Sequence, residues 1–180
     1  HVGEEVPEDI AYAEPGSEDM PGVGLAVLRQ GSGDDMLVAM LEYGEHGGGH
    51  GHPDKLQLIF YGLGRPLCAD LGTVPYGHLL YRQWYKTTPS HNTLTIGGKN
   101  MANITGELAA FRDAGHYSAA TARTDEAYPG WVLTRRILLT DAFLVDVFDV
   151  EGSAEDTLDW FLRAPGELSV GLDCKPLKEE

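Results

Sequence analysis

Two histidines separated by a single residue, His50 and His52, follow a run of three glycines at 47–49. Their side chains point the same way if the backbone there is extended, which suits a shared metal ion or a shared anionic substrate. Farther along the chain, Asp70 closes one apolar run and His91 opens another. Imidazole nitrogen and carboxylate oxygen are both zinc ligands, so two histidines and one aspartate from this set predict a metal site.

Other interpretations of these residues stay open at this point. A catalytic metal with an open coordination position would use the same donors, and non-haem iron is also bound by two histidines and a carboxylate. The alternative without a metal is that these are ordinary turn and core side chains. A phosphate-binding loop is not favoured, because the glycine run lacks the Lys-Ser/Thr ending of a P-loop.

Short strand-like runs surround the candidate residues. The runs at 24–29 and 36–43 flank a Gly/Asp turn and predict a hairpin, and residues 140–142 predict a second tight turn. Helical periodicity is almost absent, so the pattern favours an antiparallel sandwich or barrel. The predicted strands are 24–29, 36–43, 55–61, 66–70, 91–96, 117–122, 131–140, 143–150, 158–162 and 167–172.

Two segments depart from the strand pattern. The first twenty residues are acidic, contain proline and show no periodicity, so we expect a loop or linker over 1–22 and one β domain over 23–180. Residues 72–90 mix aromatic with basic side chains and predict an irregular surface loop that could contain a short helix. Loops of this length in compact domains are often functional.

Composition limits the possible functions. The chain has 180 residues, 42% of them hydrophobic, which is enough for a core, and its net charge is −15. Nucleic-acid-binding proteins usually show a basic face, so this charge argues against that class. An acidic sugar is still an acceptable ligand, because a local cluster of His, Arg and Lys can reverse the field inside a cleft. No apolar run of about 18 residues predicts a membrane span.

Three motifs together resemble one family. The sequence GGGHGHPDKL at 47–56, GRPLCADLGT at 64–73 and WYKTTPSHNT at 84–93 look like the β-sandwich domain of heparinase II/III-like polysaccharide lyases. They occur in the family's order, and residues 159–162 are a weaker match. Each motif is weak alone, but the combination is specific and covers residues 23–100 best.

The resemblance implies an all-β fold, an antiparallel β-sandwich of many short strands that is one part of a larger protein. Members of this family, which includes oligoalginate lyases, join an N-terminal (α/α) toroid to the sandwich and cleave uronic-acid-containing polysaccharides by β-elimination. The expected partners are an acidic polysaccharide or oligosaccharide and the helical toroid domain, with an oligomer as a further option. The family also implies a periplasmic or secreted location.

The resemblance also assigns roles to individual residues. Zinc would be held by His52, Asp70 and His91, mainly as a brace for the sandwich beside the cleft. His50 matches the position that faces the substrate, and a tyrosine after the metal aspartate reaches the cleft, for which Tyr76 and Tyr81 are the candidates. The toroid residues of the family have no counterpart in this chain.

Two other functions remain to be separated from the lyase. One is a non-catalytic carbohydrate-binding or structural module built on the same sandwich. The other is a cupin-like metalloenzyme, which would enclose its metal ligands inside a barrel, whereas a lyase sandwich would place them at the edge of an open cleft.

Overall fold

The computed structural model describes residues 15–152, 155–167, 169 and 171. Within these ranges the chain forms eleven β-strands, two 3-10 turns (Gly33–Asp35 and Thr88–Ser90) and one π-helical turn, Tyr81–Tyr85. The strands are β1 (Glu18–Met20), β2 (Leu25–Gln30), β3 (Leu37–Glu42), β4 (Leu58–Gly62), β5 (Arg65–Cys68), β6 (Leu94–Ile96), β7 (Glu107–Asp113), β8 (Ser118–Thr124), β9 (Trp131–Leu139), β10 (Leu144–Gly152) and β11 (Leu158–Trp160).

The strands form two larger antiparallel sheets and one short pair. The first sheet has the order β1-β2-β3-β4-β5, the second has the order β10-β9-β8-β7, and β11 pairs with β6. Strands β2 and β3 of the first sheet contact β8 and β9 of the second. The architecture is therefore the predicted antiparallel β-sandwich, and both predicted hairpins, β2–β3 and β9–β10, are present.

The core between the sheets is formed by the side chains that point inward from alternate positions of the strands. In β3 every second side chain is buried, because successive residues of a strand point to opposite faces. The inward side chains of β8 are small, whereas those of β9 are large, so the two sheets can pack closely. One inward position of β9 is charged: Arg135 lies between Leu133 and Ile137 and is fully buried.

The sequence pattern missed two strands. Strand β7, Glu107–Asp113, was not predicted, because its Glu-Leu-Ala-Ala start does not resemble a strand and it lies at the edge of its sheet with mostly exposed side chains. Strand β1 falls in the segment predicted as a loop or linker; its three residues pair with β2. Residues 1–14 of that segment, and much of the strand predicted at 167–172, lie outside the described residues.

The loops that carry the candidate site meet at one end of the sandwich. The start of β4 is joined there to the segment before β6 by a backbone hydrogen bond from Leu58 N–H to the Asn92 carbonyl at 3.1 Å, and the Asn92 side-chain amide donates to the Ala69 carbonyl after β5 at 2.9 Å. The opposite end carries the β2–β3, β4–β5 and β9–β10 turns. None of the helices in the described ranges is long and apolar enough to span a membrane.

Candidate active site and metal centre

The glycine-rich loop holds its two histidines in a tight turn. Gly51 N–H donates to the Gly48 carbonyl at 3.2 Å, and the backbone of Gly51 passes directly over the carbonyl of His46. A β-carbon added to Gly51 would lie 1.3 Å from that oxygen, so only glycine fits between His50 and His52. Lys86 reaches across from the long loop and donates to the Gly49 carbonyl at 2.9 Å.

A chain of three side chains runs from His52 through His91 to Asp70. Nδ1 of His52 lies 3.2 Å from Nε2 of His91, and Nδ1 of His91 lies 2.7 Å from a carboxylate oxygen of Asp70. Because Asp70 can only accept while it is ionised, His91 donates from Nδ1 and keeps the lone pair on Nε2 for another partner. A carboxylate in this position is the usual orienting partner of a metal-binding histidine.

Asp54 completes a cluster with the two histidines. One ligand atom each from His52, Asp54 and His91 lies within 4.8 Å of the others, the spread that a single ion can bridge. Asp54 is 7% exposed. Its Oδ1 lies 3.2 Å from Nζ of Lys55 but has no partner with hydrogen-bond geometry. The Lys55 ammonium therefore compensates part of this buried charge, although the oxygen lacks the hydrogen bond that a buried carboxylate ordinarily has among the described residues.

Burial is the largest cause of the pKa shifts in the cluster, and neighbouring charges and hydrogen bonds come after it. Burial, together with the nearby Glu42 carboxylate, raises the pKa of Asp54 to about 6. Burial and the neighbouring His91 lower the pKa of His52, which keeps its imidazole neutral and able to bind a metal. Burial alone would raise the pKa of Asp70, but the hydrogen bonds from His91 and from the Gly72 N–H bring it below its usual value.

A buried ammonium group lies beneath the cluster. Lys55 is almost fully buried and pairs with a carboxylate oxygen of Glu42, whose other oxygen accepts from Gln57 at 3.1 Å. Burial favours the neutral amine, but Asp54 and Glu42 outweigh it and the pKa of Lys55 is raised. The ammonium group therefore balances two carboxylates at the base of the site.

A second polar pair lies at the solvent-facing side of the same loop. The Tyr76 hydroxyl lies 2.6 Å from Nδ1 of His50. Both side chains are exposed, Tyr76 by 65%. Tyr81 is buried within the π-helical turn and supports Tyr76 from behind, with the two rings edge to face at 5.0 Å between centroids. Of the two candidate tyrosines, Tyr76 is thus the one whose hydroxyl contacts a cleft residue.

An open cleft of about 460 Å³ lies beside these groups and is lined by His50 and by Asp54 among others. Its walls include Glu42, Glu45, His46, His50, His52 and Asp70. The cleft lies at the edge of the sandwich, open to solvent, and not inside a barrel as a cupin would require. Its position leaves room for a second protein surface or a polymer to lie across it.

The structure brings together most of the residues that the sequence singled out. His52, His91 and Asp54 form the cluster that could hold a metal, and Asp70 contacts His91 on the side away from His52; the predicted ligand set of His52, Asp70 and His91 stays a prediction. Sequence reasoning did not single out Asp54 as a candidate ligand, although it stands in the same motif, because its burial and its approach to both imidazoles are invisible in sequence. It also missed His46 on the cleft wall.

Comparison with known proteins identifies the family. A family model described as heparinase II/III-like, C-terminal, matches residues 13–173. The chain belongs to this family. Two lyases are similar in sequence: an exo-oligoalginate lyase from Saccharophagus degradans, 27% identical over 168 residues, and an alginate lyase from Stenotrophomonas maltophilia, 32% identical over 177 residues. These alignments cover 80% and 84% of this chain.

Solved structures of heparinase II/III-like proteins share the fold. A heparinase III matches with a TM-score of 0.79 at 22% identity over 88% of this chain. The heparan sulfate lyase HepC from Pedobacter heparinus matches with a TM-score of 0.74 at 23% identity over 84% of the chain. The chain spans about a quarter of the length of these relatives, between 23% and 25%.

Proposed function

We propose that this chain is the β-sandwich domain of a polysaccharide lyase that cleaves uronic-acid-containing glycans by β-elimination. Family membership and the names of the similar lyases support the activity. Coverage of only a quarter of each relative supports a larger protein, in which a helical toroid domain would close over the cleft. The observation that carries the proposal is the exposed His50–Tyr76 pair, whose histidine lines the cleft together with His52 and Asp54 of the His/Asp cluster.

The reaction defines what the cleft has to supply. A base removes the proton at C5 of the uronate, the electron pair forms the C4–C5 double bond, and the bond from C4 to the bridging oxygen breaks. An acid then protonates the departing oxygen. The proton at C5 is acidic enough only when the neighbouring carboxylate is neutralised by hydrogen-bond donors, which stabilise the charge that develops in the transition state.

His50 and Tyr76 are suited to part of this work. A phenol and an imidazole 2.6 Å apart can pass a proton between them, and both are open to a polymer lying in the cleft. We assign His50 to the uronate carboxylate or to assistance in proton transfer, with Tyr76 as its hydrogen-bonded partner. The helical domain would contribute the remaining acid–base groups.

A zinc ion fits the cluster beneath this pair. Two imidazoles and an aspartate form a donor set that zinc accepts, and the buried Asp54 carboxylate, whose Oδ1 is ion-paired with Lys55 but has no hydrogen bond among the described residues, lies within reach of the same ion. We propose that His52 and His91 hold the ion together with an aspartate, either Asp54 directly or Asp70 after a shift of its carboxylate. When bound, the ion would neutralise carboxylate charge and brace the loop that carries His50.

Metal analysis of the purified chain tests the zinc assignment. We expect near-stoichiometric zinc in the purified chain, lost in His52→Ala and reduced in whichever of Asp54→Ala and Asp70→Ala removes a ligand. Purification without chelators that yields no metal would refute the zinc assignment.

The activity test uses the full-length protein. We expect it to release unsaturated uronate products from alginate or heparan sulfate, with the rate greatly reduced in His50→Ala and Tyr76→Phe. A full-length protein that binds these polymers without forming unsaturated products would instead be a carbohydrate-binding module.

A further inference from the structure

Arg135 is a fully buried arginine that links the second sheet to the candidate site. Its Nε and Nη2 donate to the two carboxylate oxygens of Asp146 on β10, at 2.9 and 2.6 Å. The face of its guanidinium lies 5.1 Å from the Phe148 ring centroid. A paired, two-pronged contact of this kind fixes the orientation of the guanidinium plane. The remaining nitrogen, Nη1, therefore points in one direction, away from β10.

Nη1 donates to two backbone carbonyls on separate loops of the candidate site. It lies 2.7 Å from the Leu56 carbonyl and 2.6 Å from the Asn92 carbonyl. Leu56 comes two residues after Asp54, and Asn92 follows His91 directly. One nitrogen thus joins the loop that carries the buried aspartate to the segment that carries the central histidine.

The backbone at Leu56 requires such support. Leu56 is fully buried and has φ of 60°, a left-handed conformation that is strained for a residue with a side chain. Its N–H is held by the Glu42 carbonyl at 2.8 Å, and its carbonyl is held by Arg135. Strain of this kind persists only where surrounding contacts enforce it.

We propose that Arg135, oriented by Asp146, is a positioning residue of this site: from the opposite sheet it fixes the placement of Asp54 relative to His91, in addition to the direct hydrogen bonds from Leu58 N–H to the Asn92 carbonyl and from the Thr93 hydroxyl to the Lys55 carbonyl. The inference goes beyond the proposed function and, for its zinc readout only, rests on it. Loss of the Asp146 charge would free the guanidinium to turn, and the two carbonyls would no longer share a donor. His91 would then lose its alignment with Asp70, and a metal would lose its ligand geometry.

A matched pair of substitutions tests the proposal on the same two strands. Arg136 and Asp149 form an ion pair on the exposed face of β9 and β10, directly beside the buried Arg135–Asp146 pair. Asp146→Asn and Asp149→Asn therefore make the same chemical change at neighbouring positions, one facing the site and one facing solvent. Arg135→Lys is a further variant, which keeps the buried charge but removes the forked geometry.

Two readouts are used, the first without metal. We expect the His91 Nδ1 proton to exchange with solvent about tenfold faster in Asp146→Asn and in Arg135→Lys, measured by NMR. A factor of about ten corresponds to the loss of one buried hydrogen bond. We expect their zinc dissociation constants to rise by about 10- to 100-fold, as for other residues that orient metal ligands. Asp149→Asn should change neither, and circular dichroism should confirm that all variants are folded.

The outcomes separate this inference from the proposed function. Folded Asp146→Asn and Arg135→Lys proteins with wild-type proton exchange would overturn the role of Arg135. If the wild-type chain takes up no zinc, the zinc assignment fails and the proton exchange alone decides about Arg135. Should both variants fail to fold, slower exchange of the Arg135 Nε proton in the wild type on adding zinc would support the proposal, and unchanged exchange would refute it.

Discussion

Replacing Gly51 by alanine should disrupt the site although no functional side chain is substituted. The added β-carbon would lie 1.3 Å from the His46 carbonyl oxygen, which is backbone and cannot rotate away. Ordinary contact begins at 3.4 Å, so the two segments must separate by 2.1 Å. Ligand distances in a metal site tolerate changes of only about 0.2 Å. The displacement is about ten times larger and falls between His50 and His52.

We therefore expect Gly51→Ala to lose zinc affinity by about 100-fold or more, the upper range for disturbed ligand orientation. The assay is zinc titration by calorimetry on the metal-free chain, with thermal unfolding measured in parallel. In the full-length protein we expect lyase activity to fall as well, because His50 moves away from Tyr76.

Gly49→Ala is the matched control in the same glycine run. A β-carbon at Gly49 meets nothing within 4 Å, and its φ is not positive, so the substitution should leave zinc binding unchanged. If Gly51→Ala binds zinc as tightly as the wild type does, the loop geometry described here does not govern the site. Equal losses in both variants would mean that general loop flexibility, and not the contact with His46, is responsible.

Three further predictions concern activity, alkaline stability and pH. Tyr76→Phe in the full-length protein should lower kcat by about 10²- to 10⁴-fold with unchanged thermal stability, because this exposed hydroxyl contacts only His50 among the described residues. Burial raises the pKa of Tyr128 to about 12, so its contribution to stability should be complete below pH 10 and disappear as the pH rises to about 12. A Tyr128→Phe variant, followed by chemical denaturation across that range, should lack this contribution. With Asp54 as a ligand, zinc affinity should decline as the pH falls through about 6, because burial raises the pKa of Asp54 to about 6 and protons then compete with zinc for its carboxylate, whereas burial lowers the pKa of His52; an affinity that stays constant well below pH 6 would contradict direct binding by Asp54.

Much of the fold could be predicted from sequence because it depends on local patterns. Alternating apolar residues in β3 and the tight turns of the two hairpins are visible in a short window of sequence, and the structure confirms them. Strand β7 could not be predicted, because its alanine-rich sequence gains its strand conformation from pairing with β8 and not from its own propensity. Tertiary pairing decided that element.

The candidate site likewise has features that the sequence determined and features that only the tertiary structure decided. Sequence by itself determined which donors exist, since residue types limit the chemistry, and the resemblance to the family grouped His50, His52, Asp70 and His91 in one set of motifs. Only the tertiary structure decided that Asp54 lies buried without a hydrogen bond beside two imidazoles, and that Asp70 instead contacts His91.

Arg135 is the clearest case of a feature that sequence could not reveal. In sequence it is one of two adjacent arginines on a strand, and nothing distinguishes it from Arg136. Because successive side chains of a strand point to opposite faces, one arginine enters the core and the other pairs at the surface. Which of them enters depends on the register of β9 against its neighbours and on the packing of the two sheets, and only the assembled sandwich sets these.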